Sequence, residues 1–524
     1  MTRIITPENL RRIWREGGEV ALFDVREEGP YSEAHPLWAV SLPVSEIEAR
    51  ILDLVPRLSA PIVVYDDGEG FAKRAVARIE ARGFTDVAIL AGGLSAYARY
   101  GEIYRDVSVP SKAFGELVES IRHTPSLSAT EIKNILDTQT NVVVLDSRRF
   151  EEFQTMCIPG GQSVPGGELV YRVHDIVPSE ETLVIVNCAG RTRSIIGTQS
   201  LINAGIPNRV VALRNGTIGW TLAGFEVETG RCERGRAPST EGRAIARAAA
   251  ERWAMKVGLP IIDRATLDLY LQEQDRRTLY RLDVRTPEEY AAGHPAGFGS
   301  APGGQLVQAT DEWVAVRGAR LVLFDDDGVR ARMTASWLIQ LGWDASVVGE
   351  GVLAASESAI PRRKPAIDLH AKSTIAPADL AARLTQVTVL DMARSPVYRK
   401  GHVPGAWHVS GPRLATEAAG LCGDGPIVLT SPDSLVAAAN LPDIKSAVTR
   451  EIFVLEGGTK AFQAAGFTLE TGVEHWIAPP KDVYTRPYEG TGNTREAMQA
   501  YIDWELQLVA QLANDGVSRF HVVR

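Results

Sequence analysis

The sequence predicts four tandem copies of a small α/β unit, each a parallel sheet with helices on both faces, followed by a C-terminal helical tail. Three observations carry this reading. They are an internal repeat of fixed spacing, apolar strand segments alternating with helical ones, and a final segment in which the repeat stops.

The repeat is visible as a strand ending in Asp with a polar turn eleven residues later. It runs LFDVREEGPYSEAH (Asp24 to His35), VLDSRRFEEFQTMC (Asp146 to Cys157), RLDVRTPEEYAAGH (Asp283 to His294) and VLDMARSPVYRKGH (Asp391 to His402). A second apolar strand, a short loop and a helical run follow in every copy. The step from the aspartate to the first loop residue is 42 positions in the first three copies (Asp66, Cys188, Asp325) and 40 in the fourth (Ser431). A third strand and a turn close each copy, as in VAILAGGLSAY and VVALRNGTIGW.

Runs such as VVVL and LVIV have no polar alternation, which fits parallel strands covered on both faces. The expected domains are 1–110, 125–232, 258–360 and 372–475, with a tail from 476 to 524. The clearest linker is PRRKPAIDLHAKST. In the tail, Met498, Ile502, Leu506, Val509 and Leu512 recur at helical spacing and Gly516 is a stop signal, so a packing helix or a homodimer contact is expected there, with a cover over the active site as the alternative.

Composition narrows the function classes. With 524 residues, 45% apolar and 23% charged, the chain is long enough for several buried cores. A net charge of −9 gives no overall attraction to phosphate backbones, so nucleic acid is not an expected partner. No apolar run has the length of a membrane span, and the start MTRIITPENLRRIW lacks the apolar stretch of a secretory signal, so a cytoplasmic protein is expected. Four scattered cysteines (Cys157, Cys188, Cys232 and Cys422) form no disulfide framework and no CxxC pair. Any working cysteine is expected to act as a thiol.

Only the second repeat places cysteine after its second long strand, in Asn187-Cys188-Ala189-Gly190-Arg191-Thr192-Arg193-Ser194, directly before a helical run. A tight loop at the carboxyl end of a strand, running into a helix start, presents backbone N–H groups toward one point. Cys188 therefore meets the positive end of a helix and two guanidinium groups, which favour thiolate, the attacking form. An inert core cysteine would give Gly190, Arg191 and Arg193 no purpose.

The Asp-x-Arg strand end, the turn GHVPGAWH and the six-residue loop after Cys188 resemble the rhodanese family of sulfurtransferases over about residues 1 to 475. The resemblance implies four rhodanese-like domains and a persulfide on Cys188, with the backbone of Ala189, Gly190, Arg191, Thr192, Arg193 and Ser194 holding the transferred sulfur. It implies that Arg191 and Arg193 attract an anionic donor such as thiosulfate, and it places Arg148 near the pocket or in a salt bridge to Asp146. Thiol or cyanide is the implied acceptor, and neither metal nor organic cofactor is required. Asp66, Asp325 and Ser431 stand at the cysteine position of the other repeats, which are expected to be catalytically silent. The first repeat is expected to wall the cleft of the second, with the third and fourth as a silent pair.

Two alternatives accompany this reading. Phosphatases of the same superfamily have a longer loop than the four residues between Cys188 and Arg193, so the narrower ring favours sulfur. Three silent repeats also suit a non-catalytic or redox-regulatory scaffold that binds a partner protein. Cys157 is read as a small residue packing at a turn, with a second-thiol role as the alternative. His35, His294 and His402 are read as turn hydrogen-bonding groups, and Cys232 and Cys422 as incidental.

Overall fold

The computed structural model describes residues 2–353, 373–421, 425–490 and 492–524. Cys422 and most of the expected PRRKPAIDLHAKST linker lie outside the described residues.

Each repeat contributes five parallel strands to a sheet. In the second the spatial order is Ser126–Leu127, Val210–Leu213, Leu183–Asn187, Val142–Asp146, Gly161–Ser163. Numbered along the chain, the order is first, fifth, fourth, second, third, and the strands of the other three repeats follow it too. The apolar runs become central strands because both faces are covered by helices: Val184, Ile185 and Val186 have no exposed surface. One face packs on Ile132, Ile158 and Trp220, the other on Leu169, Val173 and Leu201. Removing a buried Ile185 side chain to Ala would cost about 2–5 kcal/mol by transfer and cavity terms.

The contacts divide the chain into two compact units: Met1–Leu10, Ala21–Val107 and Arg363–Tyr484 in one, and Arg11–Val20, Ser108–Arg362 and Thr485–Arg524 in the other. This changes the expected pairing. The first repeat packs on the fourth, through Arg394 to Glu46 at 3.1 Å and Ser410 to Glu27 at 2.5 Å. The second packs on the third. There, Gly166–Gly167 meets Gly303–Gly304 backbone to backbone, and a Cβ on Gly167 would come within 2.7 Å of the Gly304 nitrogen. Arg330 donates to Glu168 at 2.9 Å beside this contact, and the helix Thr240–Lys256 lays Ala246, Ala249, Ala250 and Trp253 across both repeats. Side-chain-free turns in PGGE and PGGQ allow an approach that sequence order does not reveal.

The tail forms two helices, Arg495–Glu505 and Leu508–Asp515, rather than one, and Gly516 ends the second in the left-handed conformation at φ +61°. Met498, Ile502 and Leu512 are buried, whereas Leu506 is exposed at the break. Arg495 donates to the carbonyls of Thr221 and Leu222, and Phe520 meets Phe114 edge-on at 5.4 Å. The apolar face that suggested a homodimer is thus spent within the chain. No described helix is long and apolar enough to cross a membrane.

Candidate active site

The site begins with the strand Leu183–Asn187 and the 13-residue helix Thr192–Ala204, joined by Cys188, Ala189, Gly190 and Arg191. Strand register sets Asp146 opposite Asn187, so the Asp-x-Arg strand end lies beside the root of the loop. Across the loop, the turn Asn215–Gly216 has φ of +63° and +56°. From it Thr217 N donates to the Cys188 carbonyl at 2.8 Å and Ile218 N to that of Ala189 at 2.9 Å. A Cβ on Gly216 would stand 2.5 Å from the carbonyl oxygens of Cys188 and Gly190, so glycine is required by both space and conformation. The loop carbonyls are held on this outer side.

Cys188 Sγ donates to Ser194 Oγ at 3.4 Å, and that hydroxyl donates to the Arg191 carbonyl at 2.9 Å. Thr192, Arg193 and Ser194 are the first turn of the helix, whose unpaired N–H groups carry its positive end. Burial pushes the Cys188 thiol above its ordinary range, against the opposing pull of Arg193 and of the Ser194 hydroxyl and N–H. This corrects the expectation of a ready thiolate: Cys188 is only 1% exposed, and loss of solvation outweighs the nearby charge.

The two loop arginines are already engaged. Arg193 grips Glu152 through contacts of 2.8 and 2.9 Å, while remaining the strongest positive influence on Cys188. Arg191 points to the helix Val109–Arg122, where Glu116 accepts two bonds of 2.8 Å; Glu119 and Asn215 take the rest of its guanidinium. Its geometry fixes the loop instead of offering a free cation. Arg148 is fully buried and donates to Asp146 at 2.9 and 2.7 Å and to the Met156 carbonyl at 2.6 Å. Arg26 and Arg285 make the same bonds to Asp24 and Asp283 and to the carbonyls of Ala34 and Gly293, so this arginine is a feature of the fold and not of one pocket.

In the other repeats the residue at the cysteine position fills its own loop. Asp66 accepts from Gly68 N at 3.1 Å and Ala72 N at 2.9 Å; Asp325 accepts from Gly328 N at 3.1 Å and Ala331 N at 2.8 Å. Ser431 Oγ accepts from Ala437 N at 3.3 Å. An internal oxygen occupies the helix start where an anion would sit.

Cys157 is fully buried, and desolvation pushes its thiol up to about 11, consistent with a packing residue. His35, His294 and His402 bond the carbonyls of Pro36, Tyr290 and Tyr398 at 2.8 Å and stack on Tyr31, Tyr290 and Tyr398. Exposed Cys232 lies by Gln154. No group of three or more His, Cys, Asp or Glu side chains among the described residues could hold a metal ion.

The tail also meets the loop, the alternative that the sequence offered beside packing or dimerisation. A side chain on Gly190 would begin 3.4 Å from both Glu505 Oε2 and the Tyr501 ring, on the first tail helix. Tyr488, from the segment before that helix, stacks edge-on against Tyr501 at 5.3 Å. A cleft of about 390 Å³, lined by Met156, Ile218, Val227, Tyr488 and Met498, lies between this tail and the second repeat. A second, apolar cavity of about 520 Å³ reaches Thr192 and Arg193 from between the second and third repeats, lined by Phe114, Ile196, Val307 and Trp337.

The family model described as the rhodanese-like domain matches residues 6–100, 128–223 and 376–465, more than half of the chain. The chain belongs to the rhodanese family. The third repeat of this rhodanese, without such a match, shares the strand order of the others. A crystal structure of thiosulfate sulfurtransferase from Pseudomonas aeruginosa is similar over 100% of both chains, at 50% identity and a TM-score of 0.95. The Alr3790 protein from Anabaena is similar over 20% of this chain and 85% of its own, at 26% identity and a TM-score of 0.19. A rhodanese-like domain protein from Staphylococcus aureus is similar over 21% of this chain and 100% of its own, at 25% identity and a TM-score of 0.18. No curated protein matches.

Proposed function

We propose that this rhodanese is a sulfurtransferase that carries sulfane sulfur on Cys188. The observation that carries the reading is the single sulfur at a helix start whose counterparts are filled by Asp66, Asp325 and Ser431. Full-length likeness to a thiosulfate sulfurtransferase supports thiosulfate as donor.

In the first step the Cys188 thiolate attacks the outer sulfur of thiosulfate. The new S–S bond forms as the bond to the sulfonate sulfur breaks, and sulfite leaves with its electron pair. In the second step cyanide or an ionised thiol attacks the terminal sulfur. Thiocyanate or a persulfide of the acceptor leaves, and Cys188 returns as thiolate. The backbone of Ala189 to Ser194 holds the negative sulfur, and Arg193 supplies the strongest positive influence on it. Arg191 acts by holding the loop to Glu116, and Arg148 by holding the strand end. Burial makes ionisation of Cys188 the costly preliminary, which an anionic donor held by the same N–H groups must follow.

The filled loops favour a second role for the other three repeats, as scaffold in place of turnover. Intact mass after incubation with thiosulfate separates the readings: a gain of about 32 Da, one sulfur atom, on the wild type and none on Cys188→Ser supports the enzyme. An unchanged mass leaves the scaffold.

A further inference from the structure

The loop faces a buried carboxyl that the transfer chemistry does not use. Glu505 ends the first tail helix and is 1% exposed. Its Oε1 accepts the Tyr501 hydroxyl at 2.9 Å, and its Oε2, which has no hydrogen-bond partner, faces Gly190 across 3.4 Å measured from where a side chain there would begin. An unsatisfied, buried carboxyl oxygen is expensive, far more so when charged.

We propose that Glu505 is a positioning residue of the Cys188 loop: held uncharged against Gly190, it leaves the loop open to an anionic sulfur donor, and its ionisation turns that donor away. The inference rests on the sulfurtransferase reading above. The charged and titratable groups facing Glu505 are Lys112 and Glu116 from the helix Val109–Arg122, Arg191 from the loop, and Tyr501 from its own helix. Lys112 and Arg191 favour the carboxylate. Both are otherwise directed, since the Lys112 ammonium sits over the rings of Tyr501 and Trp504 at 5.3 and 5.6 Å and Arg191 is bound to Glu116 and Glu119. Burial, with Glu116 in support, prevails and pushes the Glu505 carboxyl up to about 8. Near neutral pH the acid form dominates; above about 8 a negative charge appears next to Gly190, where the donor's own charge must be accommodated.

The test compares wild type with Glu505→Gln, which keeps shape and a bond to Tyr501 but cannot ionise. The rate of persulfide formation from thiosulfate is read by intact mass across the neutral to alkaline range. The variant-to-wild-type ratio should stay near one at about pH 7 and rise about tenfold by about pH 9, as the wild type alone acquires the charge. Each rate is divided by the Cys188 thiolate fraction of the same protein, read from the pH dependence of its alkylation, so that an effect on the thiol is separated from an effect on the donor. Glu505→Leu should show the same rise, which protects the test from a peculiarity of one substitution. Infrared difference spectra should show a protonated carboxyl band that disappears on alkalinisation in the wild type and is missing from Glu505→Gln. A ratio flat with pH, or lowered equally at every pH as a purely structural role would give, overturns the inference while leaving the sulfurtransferase reading in place. No persulfide on the wild type overturns both.

Discussion

Arg193 holds Glu152 through two contacts of 2.8 and 2.9 Å and at the same time exerts the strongest positive influence on the Cys188 sulfur. The pair joins the helix Phe150–Thr155, after the Asp-x-Arg strand end, to the first turn of the helix after the loop. Arg191, two residues earlier, is bound instead to Glu116. The two arginines should therefore fail differently. Arg193→Ala should lower kcat/KM for thiosulfate about tenfold to a thousandfold, or about 1.4 to 4 kcal/mol, with a modest change in Tm. Arg191→Ala leaves Glu116 buried and unpaired, and should cost about 3–5 kcal/mol of stability in denaturant unfolding. Equal loss of donor use in two equally stable variants would overturn the division.

Cys188→Ser should abolish persulfide formation and leave the circular dichroism spectrum unchanged, because the hydroxyl fits the space but does not ionise near neutral pH. Activity above about a hundredth of wild type would move the chemistry to another thiol, with Cys157 the first to examine.

The pH dependence of alkylation tests the buried thiol. Because burial holds the Cys188 proton on, reaction with iodoacetamide should accelerate as pH rises, with a midpoint above the ordinary thiol range. Arg193→Ala removes a charge that favours thiolate, so the midpoint should move further up. A midpoint below neutrality would show that the helix start outweighs desolvation.

Gly216→Ala places a methyl group 2.5 Å from two loop carbonyls at a φ of +56°. The turn must shift, so the expected result is about a hundredfold loss of sulfur transfer with about 1–3 kcal/mol of destabilisation in thermal melts.

Pairing of the second and third repeats alters what a shortened chain should do. A fragment ending at residue 235 uncovers Leu169, Val170 and Val173, which pack under Ala246, Ala250 and Trp253. It should aggregate or elute as a large species on gel filtration. In the intact chain, Arg330→Ala takes its cation from buried Asp327 and leaves Glu168 with Arg172 alone, and should lower stability by about 3–5 kcal/mol in denaturant titration.

The sequence by itself determined the family, the fourfold α/β repeat and the place of Cys188 between a strand and a helix. Those follow from local facts: apolar runs fit only strands covered on both faces, and the fixed step from Asp146 to Cys188 follows from two adjacent strands of one sheet. The Asp146–Arg148 pair was legible as one of two readings because its partners are two residues apart. Tertiary structure alone decided which repeats pair, that Arg191 turns to Glu116, that Cys188 is sealed from water, and that Glu505 faces Gly190. Each of these joins residues separated by tens to hundreds of positions. Their contacts arise when whole helices pack, and desolvation of a thiol or a carboxyl exists only once the chain has closed around it.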